Sequence, residues 1–189
     1  MKKDRKNIIL QSLAAMLEER NMSKITTASL AEKSNITEAA LYRHFPSKRS
    51  IYAELFSFCD DTIFAKCNEL KKEKISAQDK VKKLFTFFML FIEKNKGFAR
   101  LLSREALSSA EQNVSESVNQ FYERFELVLR QMLKEDEKNL ITQAGISAQL
   151  IITVLEGNIG RYIRSKFKDS PSTYIENIWA LLSLSIFKN

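Results

Sequence analysis

Residues Ile25 to Lys48 read ITTASLAEKSNITEAALYRHFPSK, and the spacing of caps and apolar positions in this stretch decides the fold. Thr26 and Thr27 are helix-capping residue types placed ahead of Leu30 and Ala31, which share the inner face of a first short helix. Ser34 and Asn35 end that helix. Thr37 caps a second one, predicted to run to about Phe45 and anchored by Ile36, Leu41 and Phe45. Helix, tight turn, helix is the helix-turn-helix arrangement, whose second helix enters the major groove of DNA.

Working outward, helical periodicity decides which residues would face DNA. With Leu41 and Phe45 turned to the core, Ala39 and Arg43 point most directly away, and Ala40 and Tyr42 flank them. Two alanines let the helix sit deep and touch thymine methyls, while Thr37 and Arg43 have the groups to hydrogen-bond base edges. Tyr42 and His44 suit phosphates, contacts that position rather than specify. Ser47 then caps a third element with Lys48 in its first turn, where open amides beside a lysine favour a phosphate.

Charge supports this reading. Of the formal net charge of +7, most falls in residues 1–52, which hold ten Lys and Arg against five Asp and Glu. A basic arm, Lys2, Lys3, Arg5 and Lys6, precedes a first amphipathic helix over about Asp4 to Arg20, with Ile9, Leu13, Met16 and Leu17 apolar. Clustered cations at a helix-turn-helix suggest an electrostatic footprint for phosphates.

The rest of the chain reads as helix after helix. Four glycines and two prolines in 189 residues predict an all-α protein of about nine helices. A helix-turn-helix head over residues 1–50 is expected to precede a helical-bundle body over 51–189, with a linking helix from about Ser47 to Lys72. Lys71 to Asp79 reads as a loop. Lys80 to Lys94 is apolar nearly all round (Phe85, Phe87, Phe88 and Phe91 among others) and is predicted to lie inside the bundle. Asn95 to Gly97 ends it, Phe98 to Leu107 is a short helix, and Ser108 to Ser115 a polar break.

A stripe from Val118 to Leu133 gives the next helix. Leu140 to Phe167 is predicted as another, carrying Ile146, Leu150, Val154, Gly157 and Arg161 along one line. Gly145, Gly157 and Gly160 each cost that helix roughly 1 kcal/mol, which close approach of another helix would offset. Ser170 and Pro171 open a last helix with Ile178, Trp179 and Leu182 apolar. These two helices are expected to form half of a four-helix homodimer interface through Leu150, Val154, Gly157, Arg161, Ile178, Trp179 and Leu182.

Catalysis is not expected. His44, the only histidine, lies in the reading helix, and no paired catalytic groups, phosphate loop or metal spacing accompany it. No cofactor and no metal are predicted. Cys59 and Cys67, eight apart, form no zinc or redox motif and fit reduced cytosolic thiols. The strongest apolar run, Leu84 to Ile92, is too short for the roughly 20 residues of a membrane span, and no signal peptide is read at the start.

TTASLAEKSNITEAALYRHFPSK, with its caps, its Leu-Tyr-x-His-Phe ending and its Ser-Lys start of the next helix, resembles the DNA-binding signature of TetR-type regulators. The segments ILQSLAAMLEE, VNQFYERFELVLRQMLKE and GRYIRSKFKDSP extend the resemblance to a branch of that family that acts in nucleoid occlusion. Such proteins bind chromosomal sites as dimers and, while bound, antagonise assembly of the tubulin-like division protein FtsZ.

The resemblance implies that Thr26, Thr37, Tyr42, His44 and Lys48 contact DNA; Thr27, Ala39, Ala40 and Arg43 complete the expected surface. It places a division-protein surface on the helices of Phe58, Lys66 and Lys94, and the protein on the nucleoid in the cytoplasm. Phe87, Phe88 and Phe91 make the central helix more aromatic than the family pattern. The alternative is a TetR-type repressor whose aromatic body takes a small apolar ligand.

Overall fold

The computed structural model describes residues 2–19, 25–107 and 111–188, with side chains from residue 5 onward. Among them are nine α-helices: α1 (Lys2–Glu18), α2 (Thr27–Lys33), α3 (Glu38–Tyr42), α4 (Lys48–Lys72), α5 (Ala77–Lys94), α6 (Lys96–Leu102), α7 (Gln112–Lys134), α8 (Ala144–Arg164) and α9 (Ile175–Ile186). The all-α expectation holds. Packing groups them into two units, Met1–Asp60 with Asn95–Val118, and Asp61–Lys94 with Asn119–Asn189.

In the first unit α1 buries Ile9, Leu13 and Leu17, one residue per turn. Helix starts at Lys2, so the expected basic arm has helical backbone; the side chains of Lys2 and Lys3 lie outside the described residues, as does Arg20. α6 packs on α1 at Gly97, where an added Cβ would lie 3.0 Å from the Ala14 carbonyl oxygen and 3.2 Å from Leu17 Cβ. Gly97 therefore lies in the first turn of α6 at a close crossing, not in the break that ends α5. Phe98 stacks obliquely on Phe56, with centroids 5.6 Å apart.

The second unit is built round aromatic rings. Phe88 stacks on Phe125 (5.1 Å) and Phe121 (6.2 Å), and Phe64 sets its edge to both Phe121 and Phe125. Those rings pack on each other, which is a filled core rather than a ligand chamber lined by phenylalanines. Phe85 packs on Trp179 at 5.9 Å. Lys80, buried on α5, pairs with Glu135 at 2.6 Å.

Several expectations need correcting. α5 is two-faced: Phe85, Phe88, Met89 and Ile92 are buried, but Phe87 and Phe91 are half-exposed and Leu90 is exposed. The α4–α5 loop is short because helix resumes at Ala77, capped by Ser76, whose Oγ accepts from the Asp79 N–H. Of the expected break after Leu107, residues 108–110 are outside the described residues and Gln112 to Ser115 are helical.

α8 is shorter at both ends than the predicted Leu140 to Phe167. At its start, Leu140 bridges Phe187, the Ile141 N–H donates to Ile186 O (2.8 Å) and the Lys188 N–H to Asn139 O (2.8 Å). Those backbone groups are spent on pairing, so helix waits until Ala144. At its end the Lys166 N–H donates to Ile163 O and the Phe167 N–H to Tyr162 O, with φ of 58° and 62° and the Phe167 ring 4.9 Å from Tyr162. This is a Schellman cap with its apolar contact, built without glycine. Lys166→Gly is expected to raise stability by up to about 1 kcal/mol by relieving the left-handed backbone; an unchanged or lower urea midpoint would contradict that account.

Candidate nucleic-acid interface

The head is assembled by local chemistry. Thr26 caps α2: its Oγ1 accepts from the Ser29 N–H (3.1 Å), and the Thr26 N–H donates to Ser29 Oγ (2.9 Å), a reciprocal capping box. α2 ends when the Asn35 N–H donates to Glu32 O and the Ile36 N–H to Ala31 O, with Asn35 at φ 52°. Asparagine tolerates that left-handed turn, which sets α3 across α2. Thr37 Oγ1 then accepts from the Ala40 N–H at 3.2 Å and starts α3.

α3 stops at Tyr42, three residues before the predicted Phe45. The His44 and Phe45 N–H groups both donate to Leu41 O, and Pro46 follows, which disfavours helical backbone at Phe45. Leu41 and Phe45 are buried as expected, and Ile36 is half-buried. Ala39, Tyr42 and Arg43 are exposed; Ala40 and His44 are half-buried beside them. Arg43 caps the helix rather than extending it.

One link across the head has no counterpart in the sequence reading. Thr27 Oγ1 donates to Glu38 Oε1 and accepts from the Tyr42 hydroxyl at 3.4 Å. It ties the first residue of α2 to both ends of α3 and sets the pose of Tyr42. Nothing in the spacing of Thr27, Glu38 and Tyr42 announces it.

Ser47 and Ser50 form a second reciprocal cap at the start of α4, with each N–H donating to the other's Oγ (3.2 and 3.1 Å). Lys48 beside it is not held by solvent alone. Its Nζ lies 3.5 Å from Glu111 and 5.2 Å from the Tyr52 ring centroid. Burial, with the Glu111 charge beside it, pushes the Tyr52 phenol well above its ordinary range. Lys6 pairs with Glu54 at 3.4 Å and lies over the Phe45 ring.

Two of the three residues expected to meet a protein partner, Phe58 and Lys66, line separate grooves. Phe58, 65 % exposed, lines one with Leu10, Ala14 and Leu55 in the first unit. Cys59 also lines it, and burial pushes its thiol up to about 12. In the second unit Lys66 lines a groove with Lys82, Lys83, Phe87 and Leu90. Lys94 is exposed on α5. Phe87, Leu90 and Phe91 recur at helical spacing opposite Phe88 and Ile92, the signal by which a second apolar face could have been found.

Of the residues expected at a dimer interface, Leu150, Gly157 and Arg161 are exposed, and Val154 and Ile178 half-exposed. Arg161 is engaged locally, 3.4 Å from Asp169 and over the Tyr174 ring. Trp179 and Leu182 are corrected: both are buried inside the protomer, Trp179 between Phe85 and Phe187. The exposed apolar residues of α9 are Leu181, 69 % exposed, and Leu184. Among the described residues of the protomer, no other helix crosses closely at the glycines of α8. An added Cβ at Gly157 meets nothing within 4 Å and at Gly145 only the Arg130 side chain at 3.8 Å, while Gly160 faces Arg164 of its own helix.

A capped helix-turn-helix joined by a long helix to an all-α body is the architecture of a one-chain bacterial DNA-binding regulator. Residues 9–55 match the bacterial regulatory proteins of the tetR family, and residues 76–186 the SlmA-like tetracyclin repressor-like C-terminal domain. The chain is 36% identical to the nucleoid occlusion factor SlmA of Vibrio vulnificus (strain YJ016), over 98% of this chain and 97% of that one. It is 34% identical to the nucleoid occlusion factor SlmA of Marinomonas sp. (strain MWYL1), over 100% and 98%.

Among solved structures it superposes on the fatty acid degradation regulator FadR from Bacillus halodurans (TM-score 0.79, 14% identity, 94% of both chains). NalD, the secondary repressor of the MexAB-OprM efflux pump of Pseudomonas aeruginosa, is similar in fold (TM-score 0.79, 15% identity, 99% and 98% covered). At such identities the likeness shows the fold alone. The chain belongs to the SlmA-like branch of the TetR family.

Proposed function

We infer that this protein is a DNA-binding nucleoid occlusion factor: α2, α3 and the start of α4 place it on chromosomal DNA, and its body hinders assembly of an FtsZ-type division protein there. The observation that carries the reading is the presence, in one chain, of an intact reading head and a body of the SlmA-like type over residues 76–186. The exposed aromatic and basic residues support a protein partner: Phe58 on one groove, Lys66 beside Phe87 and Leu90 on the other. An exposed ring in the first groove and apolar residues beside lysines in the second suit an acidic, apolar segment.

Homodimerisation belongs to the same proposal. Ile146, Leu150 and Val154 leave an apolar line on α8, and at Gly157 the missing side chain leaves room for another backbone. Two heads are needed to read two half-sites. The packed rings of Phe88, Phe121 and Phe125 argue against a repressor switched by an apolar ligand, since the space is filled by side chains.

Light scattering of purified FtsZ-type protein with GTP tests the function. DNA-bound protein should lower the signal, and no effect with or without DNA would overturn the reading. The head is tested separately. Tyr42→Ala should weaken binding to every duplex alike, whereas Arg43→Ala should cost about 1–3 kcal/mol at one base position and relax specificity there. Parental binding and salt dependence in both variants would refute the head assignment.

A further inference from the structure

Glu111 is a buried carboxylate that the proposed function does not use. Its side chain is 3 % exposed just before α7, and one ion pair that it forms is with Lys48. Lys48 is poised differently: it begins α4, its side chain is 33 % exposed, and its ammonium lies between the Glu111 carboxylate and the Tyr52 ring face. Lys48 is the first residue of α4, next in sequence to the Ser47 cap, the place where a DNA backbone would pass if the head reads a groove.

We propose that Glu111 is an internal competitor for Lys48, a protein carboxylate standing against the lysine where a DNA phosphate would bind it, and so a residue that sets DNA affinity without touching DNA. The proposal rests on the reading of Lys48 as a phosphate contact. A carboxylate enclosed by protein needs a counter-charge, because an unpaired buried anion is costly. Lys48 supplies it. The pair is close to neutral as seen by a phosphate, so Lys48 adds less to phosphate attraction than an unpaired lysine at the same place. At 3.5 Å the pair is long for a charge-assisted hydrogen bond, which leaves the ammonium able to share its protons outward.

Non-specific binding reads this directly, because phosphate neutralisation governs both affinity and its dependence on salt. The probe is a random-sequence duplex of 40 base pairs titrated with the full chain at several salt concentrations. Glu111→Gln keeps the shape and removes the charge. It should tighten binding about fivefold at low salt and steepen the log–log salt slope by roughly 0.9 per protomer bound. In a Lys48→Met background the same change should do nothing, since no ammonium remains to release. Glu111→Asp, which draws the carboxylate back, should give a smaller gain in the same direction and serves where Glu111→Gln does not fold.

Equal or weaker binding by Glu111→Gln with an unchanged slope, while Lys48→Met binds more weakly, would overturn the competitor and leave the phosphate contact standing. Lys48→Met binding as the parent does would overturn both.

Discussion

Phe121→Ala is expected to destabilise the chain by about 3–5 kcal/mol, the range for a large aromatic removed from a packed core. Phe121 is wholly buried. Its ring lies 5.6 Å from Phe125, 5.7 Å from Phe64 and 6.2 Å from Phe88, so these neighbours lose a partner at once. Those neighbours come from α4, α5 and α7, and rings of such size cannot collapse into the void without moving a helix. Part of the cost is the aromatic contact itself, beyond the area buried. The comparison that makes the test sharp is Phe87→Ala, the same deletion on the water-facing side of α5, which should cost under about 1 kcal/mol. Urea unfolding of both variants decides it: equal midpoints would mean that the ring cluster is not the core of the second unit.

Phe58→Ala is expected to leave folding and DNA affinity unchanged and to weaken antagonism of FtsZ-type assembly by about thirtyfold, the effect of losing a 2 kcal/mol aromatic anchor. A ring 65 % exposed contributes little to the protomer that carries it. Keeping it in water is tolerable when a partner covers it. Lys66→Ala should act more weakly, since Lys66 pairs with Glu69 at 2.6 Å and lies at the rim of its groove. The readout is the concentration of DNA-bound protein needed to halve the light scattering. A Phe58→Ala variant as potent as the parent would remove that groove from the partner surface.

What could be read in the sequence was what local chemistry decides. Thr26, Thr37 and Ser47 cap because a side-chain oxygen reaches amides three residues on, and Asn35 turns because its side chain suits positive φ. Leu41 and Phe45 go inward by helical phase. Decisions made by distant neighbours were not legible. Phe87 and Phe88 are adjacent and alike, but only Phe88 meets α7. Trp179 looks like an interface residue until Phe85, more than ninety positions earlier, is placed against it. Helix ends settled by competition were missed for the same reason: α8 starts late because residues 186–188 pair with residues 139–141. The sequence around Lys48 gave no sign of Glu111.

The seat of Gly97 on α1 has a consequence for anyone recombining these proteins. Because α6 sits against Ala14 and Leu17, the first unit is stitched from two separate stretches of sequence, with residues 61–94 threaded between them. A chimaera that grafts residues 1–60 onto another body would bring α1 without the helix that fits it, and a bulkier residue at the glycine position would wedge the graft apart. The transferable cassette is therefore bipartite: a head exchanged for a new DNA address must travel with residues 95–118.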